Sequence, residues 1–294
     1  MGLHSRLQGL MLSFTLAGAA GAADVAQSEP EHARARLISE HAFAIPGETL
    51  ALGVTFDIDQ GWHLYWDGCN DSGFPIDIKL TLPDGWIAGG VQWPAPDRRY
   101  AAPGGLVLDH IYERRVTLIV PVQVPESAES SAGVNIAADV EWLVCKDACI
   151  PGFAELSVAI PVKPLHTDPV LTREAPLFEE ARKAHPKPMR GGARAPYRIT
   201  WEGSTMVIRG DSADVLSFYP QRECGRLVDR FTDPVSKEGV LRLRFKDGPE
   251  TVRVQGVLDV RDRQGVRKGV YTLTWPATPM ETRAGDTIHS MTKE

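Results

Sequence analysis

The stretch VEWLVCKDACIPG, residues 140–152, places two of the four cysteines of this 294-residue chain four positions apart at the end of an apolar run. A pair this tight can act as a structural staple, as part of a metal site or as a redox couple. The residue after Cys149 is Ile150, and a Pro-Gly turn signal follows it. We therefore expect the sulfur of Cys149 to lie where a strand turns.

The spacing argues against two of these three roles. On the chain-entropy model, closing a loop of about five residues stabilises a protein by only ~2 kcal/mol, against ~4.5 kcal/mol for a loop of about 80 residues. A structural zinc ion needs four ligands. Cys69, Cys224 and the eight histidines are scattered rather than paired at a comparable spacing. We expect no metal and no organic cofactor, and thiol–disulfide exchange is the interpretation that remains.

Composition limits the classes of function. The net charge is −6, and no basic patch stands out, which disfavours nucleic acid as a partner. The chain is long enough for two domains of ordinary size. Its 27 glycines and 22 prolines suit many short strands joined by turns.

The first 22 residues have the pattern of a cleaved export signal. Arg6 is followed by a largely apolar segment, and Ala20-Gly21-Ala22 supplies a small–x–small cleavage pattern. No later stretch approaches 18 consecutive apolar residues, so we expect a soluble mature protein. Its compartment permits disulfides.

The rest of the sequence predicts an all-β protein with two sandwich domains. Residues 30–164 contain strand-sized segments bounded by turn residues, which favours an antiparallel, immunoglobulin-like sandwich. These segments are LALGVTFDI (50–58), IDIKLTLP (76–83), VTLIVPVQV (116–124), VNIAADVEWLV (134–144) and AELSVAIPV (154–162).

The second half repeats this organisation on a smaller scale. Residues 165–195 predict a linker with one short helix, APLFEEARKA, that begins near Pro176 and ends before Pro186. Residues 196–280 predict a second, smaller β-sandwich, and residues 281–294 a flexible tail.

Several motifs together resemble one known family. WLVCKDACIPG is similar to the cysteine motif in the N-terminal periplasmic domain of the DsbD/ScsB thiol:disulfide interchange proteins. Four further segments occur in the order found in that family: FDIDQGWHLYW (56–66), NDSGFP (70–75), VQWPAPDRRY (91–100) and IYERRVTLIVPVQVP (111–125). The resemblance covers about residues 36–165, and the linker and second β domain also resemble the ScsB-type periplasmic region.

The resemblance implies a periplasmic function and its site. In this family an immunoglobulin-like domain takes electrons from a membrane-embedded partner and passes them to soluble thioredoxin-fold proteins. Its two cysteines cycle between dithiol and disulfide, and by position they are Cys145 and Cys149. The family pattern makes Cys149 the exchanging sulfur and Cys145 the resolving one. An aromatic cap shields the family's pair, and Tyr100 is the candidate by position.

The sequence departs from the full-length family members. It contains neither their membrane helices nor a thioredoxin-type C-x-x-C motif. We therefore expect a separate membrane electron-transfer protein as donor, and a protein-disulfide reductase component as the enzymatic role. The alternative is a non-enzymatic binding or assembly module, in cytochrome maturation or copper tolerance, with the cysteine pair as a local brace.

Other residues carry two interpretations each. Cys69 and Cys224 either pair with each other, as an even cysteine count in an exported protein favours, or remain separate thiols. Trp142 is either a core residue or a floor beneath the disulfide. In the aromatic run Trp62, His63, Tyr65 and Trp66, strand alternation puts His63 and Tyr65 on the face opposite the tryptophans. The run either packs inside the sandwich or forms a contact wall near the cysteines.

Overall fold

The computed structural model describes residues 31–101, 107–189, 197–231, 235–236 and 238–276. The predicted export signal and C-terminal tail lie outside these residues. Across the described ranges the chain forms seventeen strands and one helix, which confirms the all-β prediction. The same ranges hold no helix long and apolar enough to cross a membrane.

The first ten strands build an antiparallel sandwich of two sheets. One sheet has the order β1-β2-β8-β5; the other has the order β10-β9-β3-β7-β6, with β4 also paired to β9. The strands are β1 (Ala33–Ser39), β2 (Thr49–Ile58), β3 (His63–Tyr65), β4 (Asp77–Thr81), β5 (Ile87–Ala88), β6 (Asp97–Ala101), β7 (Val107–Glu113), β8 (Arg115–Gln123), β9 (Ser131–Cys145) and β10 (Cys149–Val162).

Alternating side chains fill the space between these two sheets. Leu52, Val54 and Phe56 of β2 belong to the same buried cluster as Val140 and Trp142 of β9. Since successive side chains of a strand point to opposite faces, the odd-numbered residues of β9 near the cysteines must face outward. The predicted immunoglobulin-like sandwich is thus confirmed, and the same alternation places Cys145 on its outer surface.

The helix predicted in the linker packs on the first sandwich. Helix α1 (Ala175–Lys183) carries a proline in its first turn, as expected. Phe178 is completely buried against Ile38 and Ile119 on the outer side of the first sheet. A Cβ atom at Gly53 would lie 3.0 Å from the Phe178 ring, so glycine leaves the room that the ring occupies. This contact explains why β2 is buried on both faces.

An ion pair holds the C-terminal end of this helix. The guanidinium of Arg182 donates to both carboxylate oxygens of Glu40, with an Nη2–Oε2 distance of 2.7 Å. Glu40 is buried just beyond the end of β1. The hydrogen bonds from Arg182 lower the pKa of the Glu40 carboxyl. The segment predicted as part of a linker is therefore held to the first sandwich near the middle of the helix and at its C-terminal end.

The second half is a smaller sandwich with its own core. Its two sheets have the orders β11-β17-β16-β14 and β12-β13-β15. Met206, Phe218 and Leu243 are among the side chains fully buried there. The strands are β11 (Lys187–Pro188), β12 (Arg198–Glu202), β13 (Thr205–Arg209), β14 (Val215–Pro220), β15 (Val240–Arg244), β16 (Val254–Arg261) and β17 (Arg267–Trp275).

The two sandwiches are in direct contact. The Arg98 guanidinium donates to the carbonyl oxygen of Phe218 at 2.7 Å and lies over the ring of Tyr219. Arg261 of β16 pairs with Asp97 of β6 at 2.7 Å. These contacts place the second sandwich against strand β6 on the side of the sheet that Arg98 faces.

We expect Phe178→Ala to lower the free energy of unfolding by about 3–5 kcal/mol, because the truncation leaves a cavity in a filled interface. Chemical denaturation monitored by tryptophan fluorescence measures this change. Glu179→Ala, at an exposed position of the same helix, is the matched control and should alter stability by less than about 0.5 kcal/mol. Equal effects of the two substitutions would contradict the docked helix.

Candidate active site

Cys145 and Cys149 form a disulfide at the tip of the β9–β10 hairpin. Cys145 ends β9, Cys149 begins β10, and the two are direct partners in the strand register with a Cα–Cα distance of 4.2 Å. The amide of Lys146 donates to the carbonyl oxygen of Ala148 at 3.1 Å and closes the turn between them. The hairpin itself thus brings the two sulfurs together.

The two cysteines differ in exposure. Cys145 is 2% exposed and packs with Tyr65, Ile111 and Leu143 on the outer face of the sheet. Cys149 is exposed at the start of β10. A protein that approaches the hairpin tip therefore reaches Cys149 first.

Trp142 lies on the opposite face from the disulfide. Its side chain is buried in the core, edge-on to Phe56 with a centroid distance of 5.2 Å. A Cβ atom at Gly152, its partner on β10, would lie 2.3 Å from the Trp142 ring. The structure has Trp142 as a core residue, and the alternative of a floor beneath the disulfide is corrected, because alternation turns its ring away from Cys145.

A chain of hydrogen bonds ends at Cys149. The guanidinium of Arg99 donates to Nδ1 of His63, which leaves the proton of the neutral ring on Nε2. That nitrogen donates to the hydroxyl of Tyr65 at 3.3 Å. The Tyr65 oxygen lies 3.8 Å from the Cys149 sulfur.

A short turn supplies a second partner for the Tyr65 hydroxyl. Asp109 is buried and accepts hydrogen bonds from the amides of Asp71 and Ser72, both at 2.9 Å. It also accepts the proton of the Ser72 hydroxyl at 2.6 Å. Because that proton is committed to Asp109, Ser72 can only accept from Tyr65, whose oxygen lies 3.3 Å away. The hydroxyl proton of Tyr65 therefore has two acceptors, Ser72 and Cys149.

The turn fits closely over the tyrosine ring. Gly73 has a φ of +67°, and a Cβ atom there would lie 2.2 Å from Tyr65 ring atoms. Both features require glycine. Two residues after Gly73, Pro75 forms a parallel bridge with Tyr65. The NDSGFP motif thus holds Tyr65 beside the disulfide.

Burial sets the protonation states in this chain. Burial, with Arg99 as a second cause, lowers the pKa of His63 to about 4. Burial also raises the pKa of Tyr65. At neutral pH the imidazole is therefore uncharged and the phenol keeps its proton, as the assigned hydrogen bonds require.

The structure places Tyr100 away from the disulfide. Register pairs Arg99 with Asp109 and Tyr100 with Leu108, so Tyr100 faces the side opposite to Arg99. Its hydroxyl donates to the carbonyl oxygen of Phe231 in the second sandwich at 2.9 Å. The assignment of Tyr100 as an aromatic cap is thereby corrected: the aromatic side chain in contact with Cys149 is Tyr65.

Cys69 and Cys224 are not joined by a disulfide in this structure; both are partly buried thiols. The thiol of Cys69 instead donates to the carbonyl oxygen of Gln221 at 3.2 Å. The structure therefore contains two separate thiols, which is one of the two interpretations drawn from the sequence.

Sequence reasoning left several site residues without a role. His63 and Tyr65 were expected to face away from the tryptophans, and they do, since Leu64 and Trp66 are in the core. The hydrogen-bonding roles of Arg99 and Asp109 carried no sequence signal, because they depend on how β6 and β7 pair with β3.

This fold and site define a class: an immunoglobulin-like sandwich with a short-range disulfide at a hairpin tip. Residues 34–161 match the family model described as thiol:disulfide interchange protein DsbD, N-terminal. The first sandwich therefore belongs to the DsbD/ScsB N-terminal domain family, and it is a domain related to thiol–disulfide interchange.

The chain also aligns with solved structures. The N-terminal periplasmic domain of ScsB from Proteus mirabilis aligns with 84% of this chain and 94% of its own, at 13% identity and a TM-score of 0.52. A protein of unknown function from Porphyromonas gingivalis W83 aligns with 82% of this chain and 98% of its own, at 10% identity and a TM-score of 0.26. A search of the curated proteins gave no match.

The lowered pKa of His63 makes a prediction about acid stability. The unfolded chain binds a proton at His63 below about pH 6.5, whereas the folded protein does so only near pH 4. The fold therefore gains unfolding free energy from keeping His63 neutral. This contribution is complete above pH 6.5 and is lost as the pH falls toward 4. The parent protein should lose unfolding free energy between pH 7 and pH 4.5. Because glutamine does not titrate, we expect this loss to be smaller in His63→Gln by on the order of 1–2 kcal/mol.

Denaturant titrations at a series of pH values measure this loss. His166→Asn, a substitution at an exposed histidine, is the control and should leave the pH dependence as it is in the parent. An unchanged pH dependence in His63→Gln would show that His63 is not held neutral by the fold.

Proposed function

We propose that this protein is a periplasmic thiol–disulfide exchange protein that passes electrons from a membrane donor to thioredoxin-fold partners through Cys145 and Cys149. The observation that carries the proposal is the difference in exposure between the two cysteines. A partner thiolate can approach the exposed Cys149, while the buried Cys145 is kept for the resolving step.

The reductive half of the cycle consists of two thiol–disulfide exchanges. A thiolate of the donor attacks the sulfur of Cys149; the bond to Cys145 breaks, and Cys145 takes the electron pair. The second thiolate of the donor then attacks its own partner sulfur in the mixed disulfide and releases Cys149. The pair has gained two electrons and two protons, and the donor has become a disulfide.

The oxidative half runs through the same sulfur. The thiolate of Cys149 attacks a disulfide of the acceptor and forms a mixed disulfide, with one acceptor sulfur leaving as a thiolate. Cys145 attacks Cys149 and restores the internal bond, so the acceptor departs as a dithiol. No organic cofactor takes part in either half.

Tyr65 supports the charge that develops on Cys149. Its hydroxyl proton can turn from Ser72 to the sulfur when Cys149 becomes a thiolate, since the oxygen lies 3.3 Å from one and 3.8 Å from the other. A hydrogen bond to a charged acceptor is worth about 1.5–3 kcal/mol. The turn that contains Ser72 thus connects to the reacting sulfur through Tyr65.

Two exposed aromatic side chains lie on the elements that carry the site, which suits a protein partner. Phe153 shares the outward face of β10 with Cys149 and is 61% exposed. Phe74, 74% exposed, follows the glycine that covers Tyr65. Exposed aromatic residues next to a reactive group are typical of interaction surfaces.

The geometry also weakens the alternative of a local brace. Cys145 and Cys149 are already direct partners in a hairpin of the two longest described strands. A disulfide there closes a loop of about five residues and stabilises by only ~2 kcal/mol on the chain-entropy model. A brace would also gain nothing from an exposed Cys149.

The first test traps the mixed disulfide. Because Cys145→Ala removes the resolving sulfur, it should accumulate complexes linked through Cys149 when incubated with an oxidised thioredoxin-fold protein or a periplasmic extract. Non-reducing electrophoresis and mass spectrometry detect them. Cys149→Ala is the matched variant and should give at least tenfold less complex, since its remaining sulfur is buried. Equal trapping by both variants, or none by Cys145→Ala, would overturn the assignment.

The second test concerns Tyr65. Tyr65→Phe keeps the ring and removes the hydroxyl, so in the Cys145→Ala background the reaction of the Cys149 thiolate with glutathione disulfide at pH 7 should slow by about tenfold, the equivalent of ~1.4 kcal/mol. Stopped-flow tryptophan fluorescence measures the rate. Tyr100→Phe, which removes a hydroxyl on the opposite face of the sheet, should leave the rate unchanged; equal rates in all three proteins would exclude the proposed role.

A further inference from the structure

A loop of the first sandwich is held on the second by two ion pairs. We call residues 67–71 the clasp segment; it follows β3. Asp67 pairs with Arg222 at 3.1 Å, and Asp71 pairs with Arg230 at 2.5 Å. Both arginines belong to the connection after β14. The clasp segment is thus fixed to the second sandwich on either side of its central residue, Cys69.

Cys69 faces the turn that contains Cys224. The amide of Cys69 donates to the carbonyl oxygen of Pro220 at 3.1 Å. Its thiol donates to the carbonyl oxygen of Gln221 at 3.2 Å, and the amide of Cys224 donates to the same oxygen at 3.0 Å. The sulfur of Cys69 and the backbone of Cys224 are therefore neighbours around one acceptor, although 155 positions separate them in the sequence.

The surroundings keep both groups as thiols at neutral pH. Burial raises the pKa of Cys69. Burial also raises the pKa of Cys224 to about 11, and the adjacent Cys69 adds to this effect. Thiols in such surroundings react slowly, and they persist reduced until an oxidant reaches them.

We propose that Cys69 and Cys224 form a second dithiol–disulfide couple, separate from the hairpin pair, whose oxidation joins the two sandwiches covalently at the clasp segment. The two ion pairs hold the clasp segment against the connection that carries Cys224 before the bond forms. In the reduced state the contacts of the clasp segment with the second sandwich are noncovalent; in the oxidised state the clasp segment is tied to the second sandwich by a covalent bond.

The oxidant is a disulfide of low molecular mass or of a thioredoxin-fold protein. The thiolate of one cysteine attacks that disulfide, forms a mixed disulfide and expels one thiolate. The thiolate of the other cysteine then attacks the protein sulfur and expels the second. Cys69 and Cys224 together lose two electrons and two protons, and the external disulfide becomes two thiols.

The bond has a structural consequence near the hairpin. Ser72 follows the clasp segment directly, and Asp109 holds both Ser72 and Asp71. A covalent bond at Cys69 would therefore also tether the turn that contacts Tyr65. Formation of the bond does not depend on the exchange activity proposed above, and the test uses a chain that lacks the hairpin pair.

The experiment oxidises the full-length Cys145→Ser/Cys149→Ser variant with glutathione disulfide. Peptide mapping under non-reducing conditions should recover a Cys69–Cys224 linked peptide in more than half of the molecules. The thermal transition should rise by roughly 5 °C or more, because the bond closes a long loop. The parent protein under the same treatment should contain the same linked peptide beside the Cys145–Cys149 one.

A matched variant separates this bond from nonspecific oxidation. Cys224→Ser in the same background should form only a glutathione adduct at Cys69 and show no rise in the thermal transition. Two separate glutathione adducts, or two free thiols after prolonged oxidation of both the variant and the parent, would overturn the proposal. A failure of Cys145→Ala to trap partners would leave this result unaffected.

Discussion

The register of β9 against β10 is the constraint on which the rest of the site depends. A slip of one residue in a strand turns every side chain to the other face. In the observed register Trp142 lies against Gly152 inside the core, and Cys145 meets Cys149 outside it. A side chain at position 152 would collide with the indole, so the packing of Trp142 fixes the alignment that brings the sulfurs together.

Much of the fold follows from the sequence pattern, and the organisation of the site follows only in part. Strand alternation put Trp66 on one face of the strand and His63 and Tyr65 on the other, because side-chain direction repeats every two residues. The structure has Trp66 in the core and Tyr65 in the outer cluster with Cys145. The same pattern was silent on which outward residues meet the cysteines. That depends on the pairing of β3 with β7 and β9, which joins residues distant in the sequence.

Two features expected from the sequence have a different setting in the structure, for identifiable physical reasons. Tyr100 was placed by analogy of position, but the pairing of β6 turns it toward Phe231 in the second sandwich. The helix was assigned to a linker because its flanks are rich in proline and glycine; Phe178 nevertheless fills the space above Gly53. A single buried aromatic side chain therefore decides which part of the protein the helix belongs to.

The central claim is that Cys145 and Cys149 are a working couple rather than a permanent bond. Its most direct measurement is the reduction potential of this pair, obtained by equilibrating the Cys69→Ser/Cys224→Ser variant in glutathione or dithiothreitol buffers and counting free thiols. We expect a potential above about −300 mV, in the range of exchange proteins. A pair that stays oxidised in buffers well below that value would contradict it.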